Sequence, residues 1–337
     1  MNPIPTPDYQ KDPADDAFLE FLNRRLEPTE LDAYRDLEEE YPTIQVLGVP
    51  RSGTTLALQL IAAHTDVGYI DHVAAAFWRA PVTGLRLSAA LRRQVPRMST
   101  YRSDFGRTPS LAEPHEFSYL WARLLGTGFG LDSLAEPSTA QSVEWAFFKR
   151  VMTNMCDAIQ RPIVFKSLHA IWHLRPLCKT LRKTVVVVVR RDPIDVAQSL
   201  VRMRERLYGS REVWASVKPR EYEWLKDADY ATQIAGQIHY VNHAIEEGIR
   251  YADPDAVVEV SYQDLCRDPT TFLERVVERV AARGFRLQIF DRPASFSESD
   301  SRQNQETVVA LENALRHFAD RETIATLSNP STKVSSG

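Results

Sequence analysis

With 337 residues, 44% of them hydrophobic, the chain can fill one large α/β domain or two small ones. A balance of 41 basic against 45 acidic residues, formal charge −4, creates no general field for a nucleic-acid backbone, so nucleic acid is not an expected partner and any anion must be held locally. Cys156, Cys178 and Cys266 have no paired spacing, which excludes a disulfide framework or a zinc knuckle, and no run approaches the roughly 18 apolar residues of a membrane span.

The opening MNPIPTPDYQKDPADD has proline and acid where a signal peptide needs a basic start and an apolar core, so a cytoplasmic location is expected. Residues 1–42 read as an N-terminal helical arm in which Phe18, Phe21, Leu22 and Leu26 are spaced for one apolar face. TIQVLGV (43–49) is a strand candidate that runs through a glycine turn into the helical pattern TTLALQLIAAH. Residues 77–160 are predicted mostly helical, broken by Pro81, Pro96, Pro109, Pro114, Pro137 and GTGFG (126–130), and suited to a lid.

Further strands are predicted at 162–167, 184–190 and 255–261; the unbroken β-branched run TVVVVVR suits a parallel strand buried on both faces. Helices are expected from His169 to Arg182, after Asp192-Pro193, over 211–250, and at 269–283 and 305–319, with a flexible tail over 328–337. The alternation predicts an α/β fold: a P-loop NTPase-like parallel sheet flanked by helices, with helical lid insertions, forming a single domain over 43–327.

One strand end carries Gly48-Val49-Pro50-Arg51-Ser52-Gly53-Thr54-Thr55. This keeps the G-x-x-x-x-G spacing of a phosphate loop but has Thr54 where a nucleoside-triphosphatase lysine belongs. The amides of Thr54 and Thr55 open a helix, where orphan N–H groups and the helix dipole favour an anion, and Arg51 offers a planar fork of donors to developing negative charge. About 140 residues on, RRDPIDVAQS places Arg191 at a strand end and Ser199 eight residues later on the next helix, a pair suited to a second phosphate, with Arg190 as the neighbouring alternative. Pro50 to Leu56 (PRSGTTL) and the R-D-P-x-D-x-x-x-S run resemble the 5′-phosphosulfate and 3′-phosphate motifs of the sulfotransferase family. With arginine at 51, the loop looks nearer the carbohydrate and tyrosyl-protein branch than the cytosolic one.

The resemblance implies 3′-phosphoadenosine 5′-phosphosulfate (PAPS) as donor, 3′-phosphoadenosine 5′-phosphate as product, and no metal requirement. It implies donor binding by Arg51, Ser52, Gly53, Thr54, Thr55, Arg191 and Ser199, with Arg51 also assisting departure of the bridging oxygen. VEVSYQDLCRDP (258–269) is similar to a late family segment that sets Tyr262 near the adenosine. ASFSESDSRQNQ (294–305) stands where the family closes a loop over the phosphates, which brings in Ser299, Ser301 and Arg302. Arg51 and Arg191 are therefore expected to face one cavity.

Sulfuryl transfer also needs a base for the attacking group. Asp71 with His72 follows the phosphate-loop helix, Glu113, His115 and Glu116 form a second group, and Lys166 with His169 follows a strand; the order of preference is His72, Glu116, His169, with Asp71 beside the first. Trp78, Phe117, Trp121, Trp214 and Trp224 either line the acceptor pocket or belong to the core. The acceptor is not identified by the sequence and is expected to be a glycan, a lipid or a small natural product with a hydroxyl or amine. The alternatives are a P-loop nucleotide kinase or ATPase, and a catalytically inactive nucleotide-binding interaction protein.

Overall fold

The computed structural model describes residues 4–93, 99–127, 143–299 and 302–328, with side chains to Asp320. In chain order the elements are α1 (Pro13–Ala33), β1 (Thr43–Leu47), α2 (Thr54–His64), β2 (Gly68–Tyr69), α3 (His72–Ala75), α4 (Pro81–Arg92), α5 (Ser118–Leu125), α6 (Trp145–Ile159) and β3 (Ile163–Lys166). They continue with α7 (Leu174–Thr180), β4 (Val185–Arg190), α8 (Pro193–Tyr208), α9 (Tyr222–Leu225), α10 (Tyr230–Ile249), β5 (Val257–Ser261), α11 (Tyr262–Arg267), α12 (Pro269–Ala282) and α13 (Gln305–Ser328).

The strands form one five-stranded sheet in the order β2-β3-β1-β4-β5, parallel at every pairing. The valine run explains why β4 is interior. Val185, Val187 and Val189 pack with Ile44, Val46 and Val260 on the side covered by α2 and α12, whereas Val186 and Val188 pack with Leu47 and Phe165 on the side covered by α6, α7, α8 and α10. Each fully buried valine stabilises the fold by about 1.5–3 kcal/mol, and only a strand covered on both faces lets consecutive valines contribute equally. β1 lies beside it, so the loops that leave β1 and β4 at the carboxyl end of the sheet are neighbours.

Two sequence expectations change. The predicted helix over 211–250 divides into α9 and α10, because Asp229 accepts from the amides of Ala231 (3.0 Å) and Thr232 (3.1 Å) and starts a new helix there. In α1, Phe18 and Phe21 are exposed while Asn23 and Glu30 are buried. Polar side chains help to seat this helix alongside Leu19 and Leu31, which pack against the core. The Asn23 amide donates to the Ala76 carbonyl (2.7 Å) and its oxygen accepts from the Arg79 amide (2.8 Å). Glu30 accepts from the amides of Val82 (2.6 Å) and Thr83 (3.1 Å), placing its carboxylate at the positive end of α4. The two-residue strand β2 is too short to show a period in sequence.

Candidate active site

β1 ends into a loop whose shape depends on its two glycines. A Cβ at Gly48 would meet the Val189 carbonyl at 2.7 Å, and Gly53 caps α2 at φ +102°, with the Tyr262 ring lying where a Cβ would stand. Arg51 is itself held at φ +76°, a conformation that costs a non-glycine residue on the order of 1 kcal/mol. Its contacts over-determine that geometry. The Arg51 Nε donates to Ser199 Oγ (3.1 Å), its carbonyl accepts from Arg191 Nη1 (3.2 Å), and its guanidinium sits 5.1 Å from the centre of the Phe105 ring. Gly53→Ala should destabilise the protein by about 2 kcal/mol through positive φ and overlap with Tyr262. Thermal denaturation checks this, and a wild-type midpoint would contradict the packing described.

Arg191 leaves the end of β4, lies 4.3 Å from the centre of the Tyr262 ring, and donates through Nη2 to the Ser299 carbonyl (3.1 Å). Tyr262 Oη accepts from the Ser299 amide (3.1 Å) and donates to Ser299 Oγ (3.2 Å). The strip around Ser299 is thereby fastened to the tips of β4 and β5. Burial, and next the charge of Arg191, lower the Arg51 guanidinium to about 10. A largely buried cation hydrogen-bonded to a serine hydroxyl beside a second cation is an arrangement suited to an anion.

Arg51 and Arg191 line the same cavity, of about 1030 Å³, together with Gly53, Thr54 and Thr55. Lys166, at the end of β3, donates to Thr55 Oγ1 (3.1 Å) and forms a partly buried ion pair with Glu116, which also lines the cavity. Gly106, at φ +95°, lies against this pair: a Cβ there would be 2.6 Å from Glu116 Oε1. His169 lines the same wall. Its Nδ1 is 2.8 Å from Thr127 Oγ1, and burial lowers its pKa to about 4, which keeps the imidazole neutral.

The cavity does not gather every expected residue. Asp71 is fully buried away from it: the carboxylate caps α3 through the Ala74 amide (2.8 Å), accepts from Ser88 Oγ (2.5 Å), and pairs with Arg92 (3.1 Å). His72 hydrogen-bonds Thr108 Oγ1 (2.9 Å) and packs edge-on to His115, outside the cavity wall. Glu113 is likewise spent on backbone and hydroxyl donors, including the Thr100 amide (2.7 Å) and Ser99 Oγ (2.9 Å). Among the acidic and histidine candidates Glu116, His115 and His169 line the cavity, and the placement therefore favours them over His72.

Ser199 is buried and is occupied with Arg51. The Ser52 side chain is buried beside Gly48, away from this cavity, and Arg302 is exposed outside it; Ser301 lies outside the described residues. Arg190, the alternative to Arg191, pairs with Glu246 (2.5 Å) and Glu259 (2.9 Å). Trp78, Phe117 and Trp121 are core residues, Trp214 packs against Tyr222, and Trp224 is 76% exposed; none of the five lines the cavity.

The aromatic wall comes instead from Tyr9, Tyr101, Phe105, Tyr119 and Phe296. Tyr101 and Phe105 sit at positive φ in the loop before α5, a conformation that leaves no signature in sequence. The lysine ending β3 did carry a signal: a charge closing an apolar strand at the edge where the phosphate loop also ends.

The sequence profile described as "Sulfotransferase family" matches residues 42–283. The chain belongs to the sulfotransferase family. The crystal structure of sulfotransferase STF9 from Mycobacterium avium is similar in fold, with a TM-score of 0.52 and 16% identity over 94% of this chain and 79% of that one. Sulfotransferase STF1 from Mycobacterium tuberculosis H37Rv aligns at a TM-score of 0.46 and 14% identity, covering 90% of this chain and 81% of its own. No curated protein matches the sequence significantly. This sulfotransferase has, among its described residues, no helix long and apolar enough to cross a membrane.

Proposed function

We propose that this sulfotransferase moves a sulfuryl group from PAPS to a hydroxyl or amine of a small acceptor. The observation that supports it most is the convergence of Arg51 and Arg191 on one cavity beside a glycine-turned helix N-terminus. The adjacency of β1 and β4 sets the two cations side by side, and an anion between them relieves their mutual repulsion. The donor, when bound, supplies a sulfuryl group on a phosphate leaving group.

In this reading the amides of Thr54 and Thr55 and the positive end of α2 hold the 5′-phosphate, and Arg191 holds the 3′-phosphate. Ser199 acts by holding Arg51 in place, and Tyr262 and Ser299 wall the nucleotide. Glu116 takes the proton from the acceptor as the acceptor oxygen or nitrogen bonds to sulfur. Arg51 and Lys166 stabilise the electron pair that passes to the bridging phosphate oxygen as the sulfur–oxygen bond breaks. His169, neutral in its buried site, offers a hydrogen bond to orient the acceptor.

Calorimetry tests this. Adenosine 3′,5′-bisphosphate should bind without added metal and more tightly than magnesium-ATP; the reverse preference would replace the proposal with a nucleotide kinase or ATPase. Binding without turnover across acceptor pools would favour an inactive binding protein. Arg191→Ala should weaken adenosine 3′,5′-bisphosphate by about ten- to a hundredfold, and adenosine 5′-phosphate far less, since only the first carries the 3′ group. Equal weakening of both nucleotides would remove the 3′ assignment.

A further inference from the structure

A second cavity, of about 520 Å³, lies behind the phosphate loop, between β4 and the helices α8, α10 and α13. That volume is in the range of small-molecule sites. Ser52 and Arg191 belong to its wall, and Arg191 lines the first cavity as well, so one guanidinium stands in the partition between the two. The partition is incompletely bonded. Arg191 spends Nη1 and Nη2 on the carbonyls of Arg51 and Ser299, but its buried Nε has no hydrogen-bond partner among the described residues, and neither has the buried Ser52 Oγ. Polar atoms left unbonded in a buried wall cost free energy, so this partition repacks more readily than a satisfied one.

The rest of the wall divides by chemistry. Val189, Val196, Ile238 and Phe318 give it a buried apolar floor. The rim is polar: α10 contributes Asn242, the exposed His243 and Glu246, and α13 contributes the exposed Arg316. Glu246 and the neighbouring Glu259 are taken by Arg190 (2.5 and 2.9 Å), whereas Arg316 forms no ion pair among the described residues and bonds only the Glu312 carbonyl (3.3 Å) and the Asn313 side chain (2.8 Å). In the wall itself the guanidinium groups of Arg190, Arg191 and Arg316 stand against the single carboxylate of Glu246. An apolar floor under a cationic rim suits a compact hydrophobic body that ends in one negative charge. We propose that this second cavity binds a small organic carboxylate, and that its occupation weakens donor binding because the carboxylate draws on the same Arg191 that holds the 3′-phosphate. The coupling rests on the sulfuryl-transfer reading; the site itself does not.

The probe is 2-naphthoate, titrated by calorimetry into the full chain, with uncharged 2-naphthamide as the comparison. Naphthoate should bind about fivefold more tightly than the amide, or better, and equal affinities overturn the anion class. Arg316→Glu reverses the charge at an exposed side chain, so folding does not depend on it, and Asn242→Trp fills the cavity with a ring. Each should weaken naphthoate by about fivefold or more while leaving adenosine 3′,5′-bisphosphate within about twofold of its wild-type affinity. Naphthoate affinity unaltered in either variant overturns the site. Saturating naphthoate should weaken the bisphosphate by about fivefold, and saturating bisphosphate should weaken naphthoate by the same factor. No change in either direction overturns the coupling, and complete displacement of naphthoate by bisphosphate puts the probe in the first cavity and overturns the second. Should the bisphosphate fail to bind, the two variants still decide the site, and the sulfuryl-transfer reading falls and takes the coupling with it.

Discussion

Glu116→Gln is expected to lower turnover by ~10²–10⁴-fold while leaving the affinity for adenosine 3′,5′-bisphosphate nearly intact. The substitution keeps the size of the side chain and a hydrogen-bonding oxygen for Lys166, but removes the carboxylate that the cavity sets directly against the lysine bonded to Thr55. A loss confined to kcat would match a proton acceptor used in the transition state. A rise in KM at constant kcat would instead show that Glu116 only helps hold the acceptor. Alanine at His72, outside the cavity wall, serves as the contrast, and full activity in Glu116→Gln together with collapse in His72→Ala would overturn the assignment.

Acidification should unfold the protein well before its carboxylates are neutralised. His169 and His173 are buried, and burial lowers each to about 4; for His173 the nearby charge of Arg220 adds to the effect. Neither ring nitrogen of His173 has a hydrogen-bond partner among the described residues, so a proton there would be a bare charge in the core. An unfolded histidine titrates near about 6.5, so above that pH both states are neutral and nothing is lost. Below it the unfolded chain takes up protons that the folded chain refuses, and stability falls by up to about 1.4 kcal/mol per pH unit for each histidine until the folded values are reached. From pH 6.5 to 4 the pair together removes on the order of 6 kcal/mol, comparable with the whole stability of a typical domain. Urea denaturation at pH 7, 5.5 and 4.5 measures it directly, and equal midpoints at pH 7 and 5.5 would show that these imidazoles are not held neutral.

The parts of the site written as local chemistry were legible in the sequence. A glycine turn after an apolar run, a β-branched strand ending in arginine, and a helix opened by Asp192-Pro193 each report a neighbourhood of a few residues, and the sheet brings them together. Whether an acid or a histidine faces the cavity is a matter of tertiary direction. Asp71 and Glu116 both follow the phosphate-loop helix and both belong to acid–histidine groupings, yet Asp71 points at the amide of Ala74 and the guanidinium of Arg92, and Glu116 points at Lys166. No periodicity separates those outcomes. The same holds for the tryptophans, whose size suits an interior as well as a pocket, and the interior took Trp78 and Trp121. The N-terminal helix misled for a different reason: its phenylalanines are exposed, and Asn23 and Glu30 fasten it to backbone groups between α3 and α4 and at the start of α4, a mode of attachment that hydrophobic spacing cannot register.

The phenol of Tyr262 touches three stretches of chain that are remote in sequence: its ring covers Gly53 and backs Arg191, and its hydroxyl grips Ser299. In the proposed donor site, nucleotide preference is consequently not a trait that can be redesigned one position at a time. A larger residue in the turn displaces the ring, a displaced ring releases the guanidinium, and the serine strip loses its mooring along with it, so an altered donor specificity would require these segments to change in concert.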